Sequence, residues 1–317
     1  MRRLLRRLGD LVIVLLIVAT VVFVLLRVIP GDPVLILGGL DILDPAQIMR
    51  SRIQMGLDRP IHEQYLIWLG HALQGDLGVS LRSGIPVSKL VLDALPVTLE
   101  LGLIALAIGL VISIPAGIAA ARRAGRAGDV AITLMAIIGI STPPFVMALA
   151  LIYYFSVKLH MLPITGFVWP TEDLAAHIRS LVLPSLTLGL VTGGVLVRMM
   201  RRNVLDELGQ DYVRTARAKG IAESRVVYRH AARNALIPFV TIAGIEAGVL
   251  LSGAIITETI FAIPGLGRLM IENINQRDYP VVQAAVLVIA FIYVAINALV
   301  DALYVVLDPR IPAERVG

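Results

Sequence analysis

The chain has 317 residues, of which 57% are hydrophobic and 16% charged, and its mean hydropathy is +0.85. Because soluble domains are only about 45–50% apolar, this composition excludes an ordinary soluble protein and indicates a membrane protein. Cysteine is absent, which excludes disulfides and thiolate chemistry. The net charge of +5 is explained by the loops between apolar segments and is not a sign of nucleic-acid binding.

Six apolar segments are long enough to cross a bilayer, whose ~30 Å hydrocarbon core requires ~20 residues of helix. Backbone polar groups in lipid must be paired within the segment, so each segment is predicted to be a helix. The first is not a cleaved signal peptide, since Arg27 and PGDP take the place of a small-residue cleavage site. The predicted spans are residues 9–29, 98–121, 130–157, 181–200, 235–256 and 281–307.

The distribution of basic residues predicts the orientation. With the N-terminus inside, 18 of the 28 Lys and Arg residues fall in inner segments and nine in outer ones, while Arg27 lies within a span. The positive-inside rule then places both termini in the cytoplasm. The predicted divisions are a tail and first span (1–29), an extracytoplasmic loop (30–96), a transmembrane core (97–307) that includes a cytoplasmic segment at 201–234, and a cytoplasmic tail (308–317).

The outer loops are too long to be simple connections. Within the first, residues 44–55 and 61–73 have helix-like apolar spacing. This loop is either a folded cap over the span ends or a contact surface for an external partner. In a later outer loop, residues 258–280, Gly265-x-Gly267 lacks the strand–helix context of a dinucleotide site and is interpreted as a turn.

Residues 211–233, DYVRTARAKGIAESRVVYRHAAR, form a basic segment between two spans. Two short helical runs are predicted on either side of Gly220, which tolerates the positive φ of a sharp turn. The segment is interpreted as a docking surface for a soluble partner, and the simpler alternative is a solvated loop attracted to anionic lipid.

Motifs for catalysis, nucleotide binding or metal binding are absent. No G-x-x-x-x-G-K-[ST], H-E-x-x-H or G-x-S-x-G motif occurs, and the five histidines are scattered. No catalytic or metal-binding residue and no bound cofactor is therefore expected, which argues against an intramembrane enzyme. An ion-coupled secondary transporter would show inverted repeats, and no convincing repeat is found.

Acidic residues inside spans are candidates for the translocation pathway, because a charge in the bilayer core should face protein or water. Glu246 lies mid-span between glycines and alanines. It is either a hydrogen-bonded residue that orders the bundle or a partner for a positively charged substrate. Glu100 lies near the outer end of its span and is the second candidate. Asn297 and Asp301 share a helix face and suit contacts between helices.

Several motifs occur in an order that resembles bacterial ATP-binding-cassette (ABC) importer permeases, specifically the first permease subunit of the dipeptide/oligopeptide family. They are IPGDP (29–33), GDLGVS (75–80), LPVTLEL (95–101), YVRTARAKG (212–220), HAARNALIP (230–238), TETIFAIPGLGRL (257–269), RDYPVVQ (277–283) and DPRI (308–311). The general permease pattern is E-A-A, three residues, glycine, nine residues and I-x-L-P. Here Arg214-Thr215-Ala216 replaces E-A-A, and Gly220 is in register.

The resemblance implies an all-α, type I ABC importer permease fold with cytoplasmic coupling helices, in the bacterial inner membrane. It implies that the chain itself binds no cofactor and is no enzyme, because two partner ATPases supply hydrolysis of ATP with Mg²⁺. It also implies a second homologous permease, or a second copy of this chain, and an external solute-binding protein. Di- or oligopeptides are the expected substrate; nickel, glutathione and other small solutes are the alternatives. The expected coupling residues are Arg214, Thr215, Ala216, Arg217, Ala218, Lys219 and Gly220.

Overall fold

The computed structural model describes residues 2–28, 49, 53 and 58–307. Among these residues, the only pairing between extended segments is one antiparallel bridge, Val79–Pro86. The helices in chain order are α1 (Arg2–Val28), α2 (Ile61–Leu73), α3 (Val87–Arg122), α4 (Ala127–Ser141), α5 (Pro144–Leu151), α6 (Leu174–Leu208), α7 (Asp211–Ala218), α8 (Glu223–Arg225), α9 (Ala232–Phe261), α10 (Leu266–Asn275) and α11 (Tyr279–Leu307). Helices α5 and α8 each continue as a π-helix, Ile152–Lys158 and Val226–Ala231.

Among the described residues, five helices are long and apolar enough to cross a membrane, which confirms the predicted all-α membrane architecture. They are Leu11–Val28, Val87–Arg122, Leu174–Leu208, Glu223–Phe261 and Tyr279–Val300. The predicted single span 130–157 is instead a pair of helices, α4 and α5, bent by 105° at a short break. The break has a clear cause, because Pro143 and Pro144 follow each other there and proline cannot continue the hydrogen-bond ladder. Counted as one crossing, this pair brings the number of spans to six.

The helices extend beyond the predicted spans because polar residues continue them past the hydrocarbon. Helix α3 has 36 residues, a length of about 54 Å at the usual rise, whereas the hydrocarbon core is ~30 Å thick. The prediction counted only the apolar residues and therefore began this helix at 98. Predictions for residues 29–33, for most of 44–55 and for the tail 308–317 lie outside the described residues.

The helices form two compact units, and each is treated by itself. The first comprises residues 1–97 and 264–294. It contains the predicted helix 61–73, which is confirmed as α2. The rings of Tyr65 and Trp68 lie 5.2 and 5.6 Å from the ring of Phe23 on α1. The Arg27 guanidinium lies 3.6 Å from the centre of the Phe23 ring and donates to Gln64, so this cation within a span has neutral partners.

Two of the sequence motifs meet around a buried carboxylate in the first unit. Asp278 is fully buried and accepts hydrogen bonds from the Ser80 hydroxyl at 2.6 Å and from the Arg82 amide at 3.3 Å. The GDLGVS and RDYP motifs are thus packed together, although 198 residues separate Ser80 from Asp278. The loop interpreted as a turn at Gly265-x-Gly267 contains α10, a helix that the sequence analysis missed.

The second unit comprises residues 98–263 and 295–317 and is packed through glycines. A Cβ on Gly194 of α6 would lie 2.7 Å from the Ala136 carbonyl oxygen of α4, so these helices approach closely only because the side chain is absent. A Cβ on Gly189 would similarly lie 2.9 Å from the Ala105 carbonyl oxygen of α3. Helix α6 is consequently the central helix of this unit, with 16 buried residues, and it carries the basic segment at its end.

Candidate functional site

The basic segment folds as two short helices that Gly220 separates, as the sequence predicts. Gly220 has a φ of +74°, a conformation that glycine adopts without strain. Its amide donates to the Arg217 carbonyl at 2.9 Å, and the Ile221 amide donates to the Ala216 carbonyl at 3.3 Å. This pair of hydrogen bonds is the Schellman ending of a helix, so the turn after α7 is fixed by backbone geometry.

A small apolar cluster holds α7 against the rest of the segment. Val213 and Val226 are fully buried and Ala216 is 7% exposed. They pack with Leu208 at the end of α6 and with Ile221 after the turn. Because Val213 and Ala216 are three residues apart, they lie on one face of α7 and leave the opposite face free.

An ion pair closes the turn between the two helices. Arg217 donates two hydrogen bonds to the Glu223 carboxylate, from Nε at 3.0 Å and from Nη2 at 2.7 Å. This hydrogen-bonded carboxylate raises the pKa of the Arg217 guanidinium. The bidentate geometry is the strong form of an arginine–carboxylate contact, although both side chains are about half exposed and water weakens it.

Tyr212 joins the basic segment to the helices on both sides of it. Its hydroxyl donates to the Glu207 carboxylate of α6 at 2.5 Å and accepts from the side-chain amide nitrogen of Asn234, on α9, at 3.1 Å. Partial burial raises the pKa of the Tyr212 hydroxyl, and the bond to Glu207 raises it further. A displacement of α7 would therefore be transmitted to α6 and α9 through one side chain, which the sequence analysis did not single out.

The seven expected coupling residues do not all face outward. Those that are exposed are Arg214, Thr215, Ala218, Lys219 and Gly220. Arg217 is exposed but engaged with Glu223. Ala216, one of the expected coupling residues, is buried in the apolar cluster, because it shares a helix face with Val213. Its small size allows α7 to pack against its own chain.

Exchanging the charges of Arg217 and Glu223 should show whether Arg217 stabilises the turn within the chain or contacts a partner protein. We expect Arg217→Glu alone to impair transport, since two carboxylates would then face each other across the turn. The double variant Arg217→Glu/Glu223→Arg restores an opposite pair and should recover most of the activity, as measured by uptake into proteoliposomes. Recovery would assign Arg217 to the turn, whereas equal loss in both variants would assign its charge to partner contact.

An ion pair between a buried carboxylate and a partly exposed guanidinium anchors the N-terminal end of α4 beside the last turns of α6. Arg201 donates to Asp129 from Nε at 2.5 Å and from Nη2 at 2.7 Å. The Asp129 carboxylate is 5% exposed and also accepts from the Gly125 amide at 2.9 Å. The loop between α3 and α4 is thereby tied to the helix that carries the basic segment.

Glu100, a candidate pathway residue, has a specific partner. Its Oε1 lies 2.9 Å from Nε2 of His177, while Nδ1 of His177 lies 2.7 Å from the Val168 carbonyl oxygen. His177 is 3% exposed. One ring nitrogen is thus held by a carbonyl and the other by a carboxylate, which orients the imidazole. Glu100 thus links α3 to the beginning of α6.

Glu246, the other candidate, lies partly buried on α9. Within the residues that the structure describes, no hydrogen bond or ion pair to its carboxylate occurs. The interpretation as a hydrogen-bonded residue that orders the bundle therefore gains no support from this chain. By contrast, Glu258 on the same helix is fully buried and accepts from the Thr98 hydroxyl at 2.6 Å. This second acidic residue escaped the sequence analysis because it lies near the end of its span.

Metal-binding geometry is not found in the described part of the chain, where no three His, Cys, Asp or Glu side chains converge on one point.

Comparison with protein families identifies the chain. Residues 113–312 match the family described as "Binding-protein-dependent transport system inner membrane component", and residues 1–102 match the N-terminal family of the same membrane components. A putative peptide transport system permease protein of Brucella suis is 40% identical over 97% of this chain and 98% of its own length. A dipeptide transport system permease protein of Escherichia coli K12 is 39% identical over 98% of both chains.

Solved structures of transporters share the fold. The MetNI methionine ABC transporter, in an inward-facing form, has a chain that matches with a TM-score of 0.57 and 18% identity, over 70% of this chain and 98% of that one. An amino acid ABC transporter matches with a TM-score of 0.53 and 17% identity, over 71% and 95%. The resemblance inferred from the motifs is confirmed: the chain belongs to the family of inner-membrane components of binding-protein-dependent transport systems.

Proposed function

We propose that the chain is the transmembrane permease subunit of an ATP-driven importer of di- or oligopeptides and forms half of its translocation pathway. Relatives that are about 40% identical over nearly the whole chain are peptide and dipeptide permeases, which supports the substrate class. The observation that carries the mechanism is the basic segment, whose turn, apolar cluster and ion pair are formed within the chain while its opposite face is exposed. Such a preorganised surface loses little conformational entropy on docking.

Movement of an ATPase subunit would reach the membrane through this segment. The exposed face of α7 supplies Arg214, and the turn after it supplies Lys219, for contact with the ATPase. Tyr212 and the apolar cluster then pass the displacement to α6 and α9, because both helices are bonded or packed to the segment. The partner ATPases bind ATP and Mg²⁺, and this chain contributes no group to the hydrolysis.

One chain supplies one basic segment, whereas two ATPase subunits require two such segments, one for each ATPase. We therefore propose a complex with a second homologous permease, two ATPases and an external binding protein. Mass measurement of the complex extracted in detergent tests this composition. Two ATPases with two different permeases are expected. Two copies of this chain would replace the heterodimer by a homodimer, and a monomer that transports peptide without an ATPase would refute the proposal.

Orientation can be tested with single cysteines, because the native chain has none to interfere. We propose that both termini and the basic segment are cytoplasmic and that residues 30–96 lie outside. Ser83 and Ser224 are both exposed. An impermeant thiol reagent added to intact cells should label Ser83→Cys and leave Ser224→Cys unlabelled until the cells are permeabilised. Labelling in the reverse order would invert the topology.

Glu246 is proposed to contact the positively charged amine of a peptide in transit. The Glu246→Gln variant keeps the shape of the side chain and removes its charge. We expect uptake of cationic peptides to fall by about tenfold or more, because a hydrogen bond to a charged group contributes about 1.5–3 kcal/mol. The control is uptake of a neutral solute by the same complex. The yield and melting temperature of the variant complex show whether it is intact. Equal losses for both solutes would remove Glu246 from substrate recognition.

A further inference from the structure

A cavity of about 480 Å³ lies between α4 and α6, close to the end of α6 that carries the basic segment. It has two chemically different walls. The apolar wall contains Ile140, Val195, Met199 and Leu205, and the basic wall contains Arg198, Arg201 and Arg202; Thr133 and Asp206 also line the cavity. Neither the coupling mechanism nor the proposed pathway residues make use of this cavity.

The positive charge of the cavity is not fully neutralised by the protein. Arg201 is engaged with the buried Asp129 and contributes little free charge. Arg202 reaches Asp206 only at 3.8 Å, and both side chains are mostly exposed. For Arg198, the described residues offer no ion-pair partner. The cavity therefore presents at least one guanidinium that is available to an anion.

The two walls are arranged along the helix axis. Ile140 and Val195 lie at the end that is farther from the basic segment, and Arg202 lies six residues before α6 ends at Leu208. Arg202 follows Val195 by seven positions, about 10 Å along a helix. From the apolar end the lining therefore becomes mainly basic between Arg198 and Arg202, over a distance comparable to the boundary between acyl chains and headgroups, and Leu205 and Asp206 line the cavity beyond the arginines.

We propose that this cavity binds one anionic phospholipid, with its phosphate on Arg198 and Arg202 and the beginning of an acyl chain on Ile140 and Val195. The planar guanidinium fork matches a phosphate group. A soluble anion would leave the apolar wall unused, whereas a lipid satisfies both walls. Basic pockets between membrane helices on the cytoplasmic side suit anionic headgroups, and this placement rests on the proposed orientation of the basic segment.

Occupation of the cavity has a mechanical consequence. The lipid would touch α4 through Ile140 and the last turns of α6 through Arg198 and Arg202. These turns lead directly into the basic segment, since Gly209 and Gln210 alone separate α6 from α7. A bound lipid would therefore support the helix that receives movement from the ATPase, and coupling would depend on anionic lipid.

Native mass spectrometry of the complete importer, released from nanodiscs of phosphatidylglycerol and phosphatidylethanolamine, tests the proposal. We expect phosphatidylglycerol to be retained by the wild-type complex and retention to fall about fivefold in Arg198→Gln, the effect of one basic group near an anionic headgroup. Arg198→Lys keeps the charge and should retain most of the lipid. The matched control is Arg122→Gln, which removes an exposed arginine at the end of α3.

Two further measurements identify the occupant. Glycerol phosphate and inorganic phosphate, added at high concentration, should displace phosphatidylglycerol only weakly, and complete displacement by either would indicate a soluble anion instead. Equal lipid retention in Arg198→Gln and Arg122→Gln would overturn the proposal, as would a Met199→Cys cross-link showing that another subunit fills the cavity. Because retention is measured without transport, its failure is distinct from a failure of the proposed importer function.

Discussion

A Gly220→Val variant is expected to assemble in the membrane and to lose about tenfold or more of its substrate uptake, because a φ of +74° is a strained conformation for a β-branched residue. A left-handed residue with a side chain costs roughly 1–2 kcal/mol. No atom outside the turn lies within 4 Å of a Cβ placed on Gly220, so the penalty arises from the backbone alone. The turn can relieve it only by opening, which would displace Ile221 from the apolar cluster.

The measurements are peptide uptake into proteoliposomes and the ATPase rate with and without the loaded binding protein. We expect ATP hydrolysis to become insensitive to the binding protein while the complex still purifies. Gly209→Val is the matched control, since the same substitution is made at a φ of −81° eleven residues earlier. Normal coupled uptake by Gly220→Val would remove residues 211–233 from the coupling mechanism.

Arg201→Ala is expected to lower the stability of the complex strongly, because it leaves the buried Asp129 carboxylate without its cation. Removal of one partner from a buried pair costs about 3–5 kcal/mol, an upper figure here because Arg201 is 29% exposed. The Gly125 amide and the Thr133 hydroxyl, which still donate to Asp129, are neutral and cannot replace the cation. We expect a low yield of the complex and a marked fall in its melting temperature in detergent. The loop between α3 and α4 should also become more accessible to protease.

Arg202→Ala is the control, because it removes an arginine at the next position that has no buried partner. Its side chain is 75% exposed and lies 3.8 Å from Asp206, and such surface pairs contribute ~0–1 kcal/mol. The double variant Asp129→Asn/Arg201→Gln, which removes both charges, should be more stable than Arg201→Ala. Equal stability of Arg201→Ala and Arg202→Ala would show that the buried pair contributes nothing to the fold.

Local features were predictable from the sequence because their causes are local. Gly220 between two short helical patterns predicted the turn, and apolar spacing predicted helix 61–73 with both of its ends. The apolar segments identified the membrane-crossing helices. The motifs were sufficient to indicate the family, because their order along the chain is itself informative.

Pairings between distant residues were not predictable. Asp129 and Arg201 are 72 positions apart, and Glu100 and His177 are 77 apart, so no periodicity in one sequence connects them. The burial of Ala216 depends on which face of α7 packs inward, and its packing with Leu208, Ile221 and Val226 decides that. The Pro143–Pro144 pair breaks the predicted span 130–157, and an average of hydropathy over an apolar segment does not reveal such a bend.

The bend between α4 and α5 determines what can surround this part of the chain. A helix that stops leaves its last carbonyl groups without amide donors, and Pro143 and Pro144 bring none to replace them. In hydrocarbon each such carbonyl would cost several kcal/mol, so irregular backbone at membrane depth occurs only beside water or protein. The free carbonyl groups of this elbow must therefore face water or protein, and acyl chains can contact this crossing only through its apolar side chains.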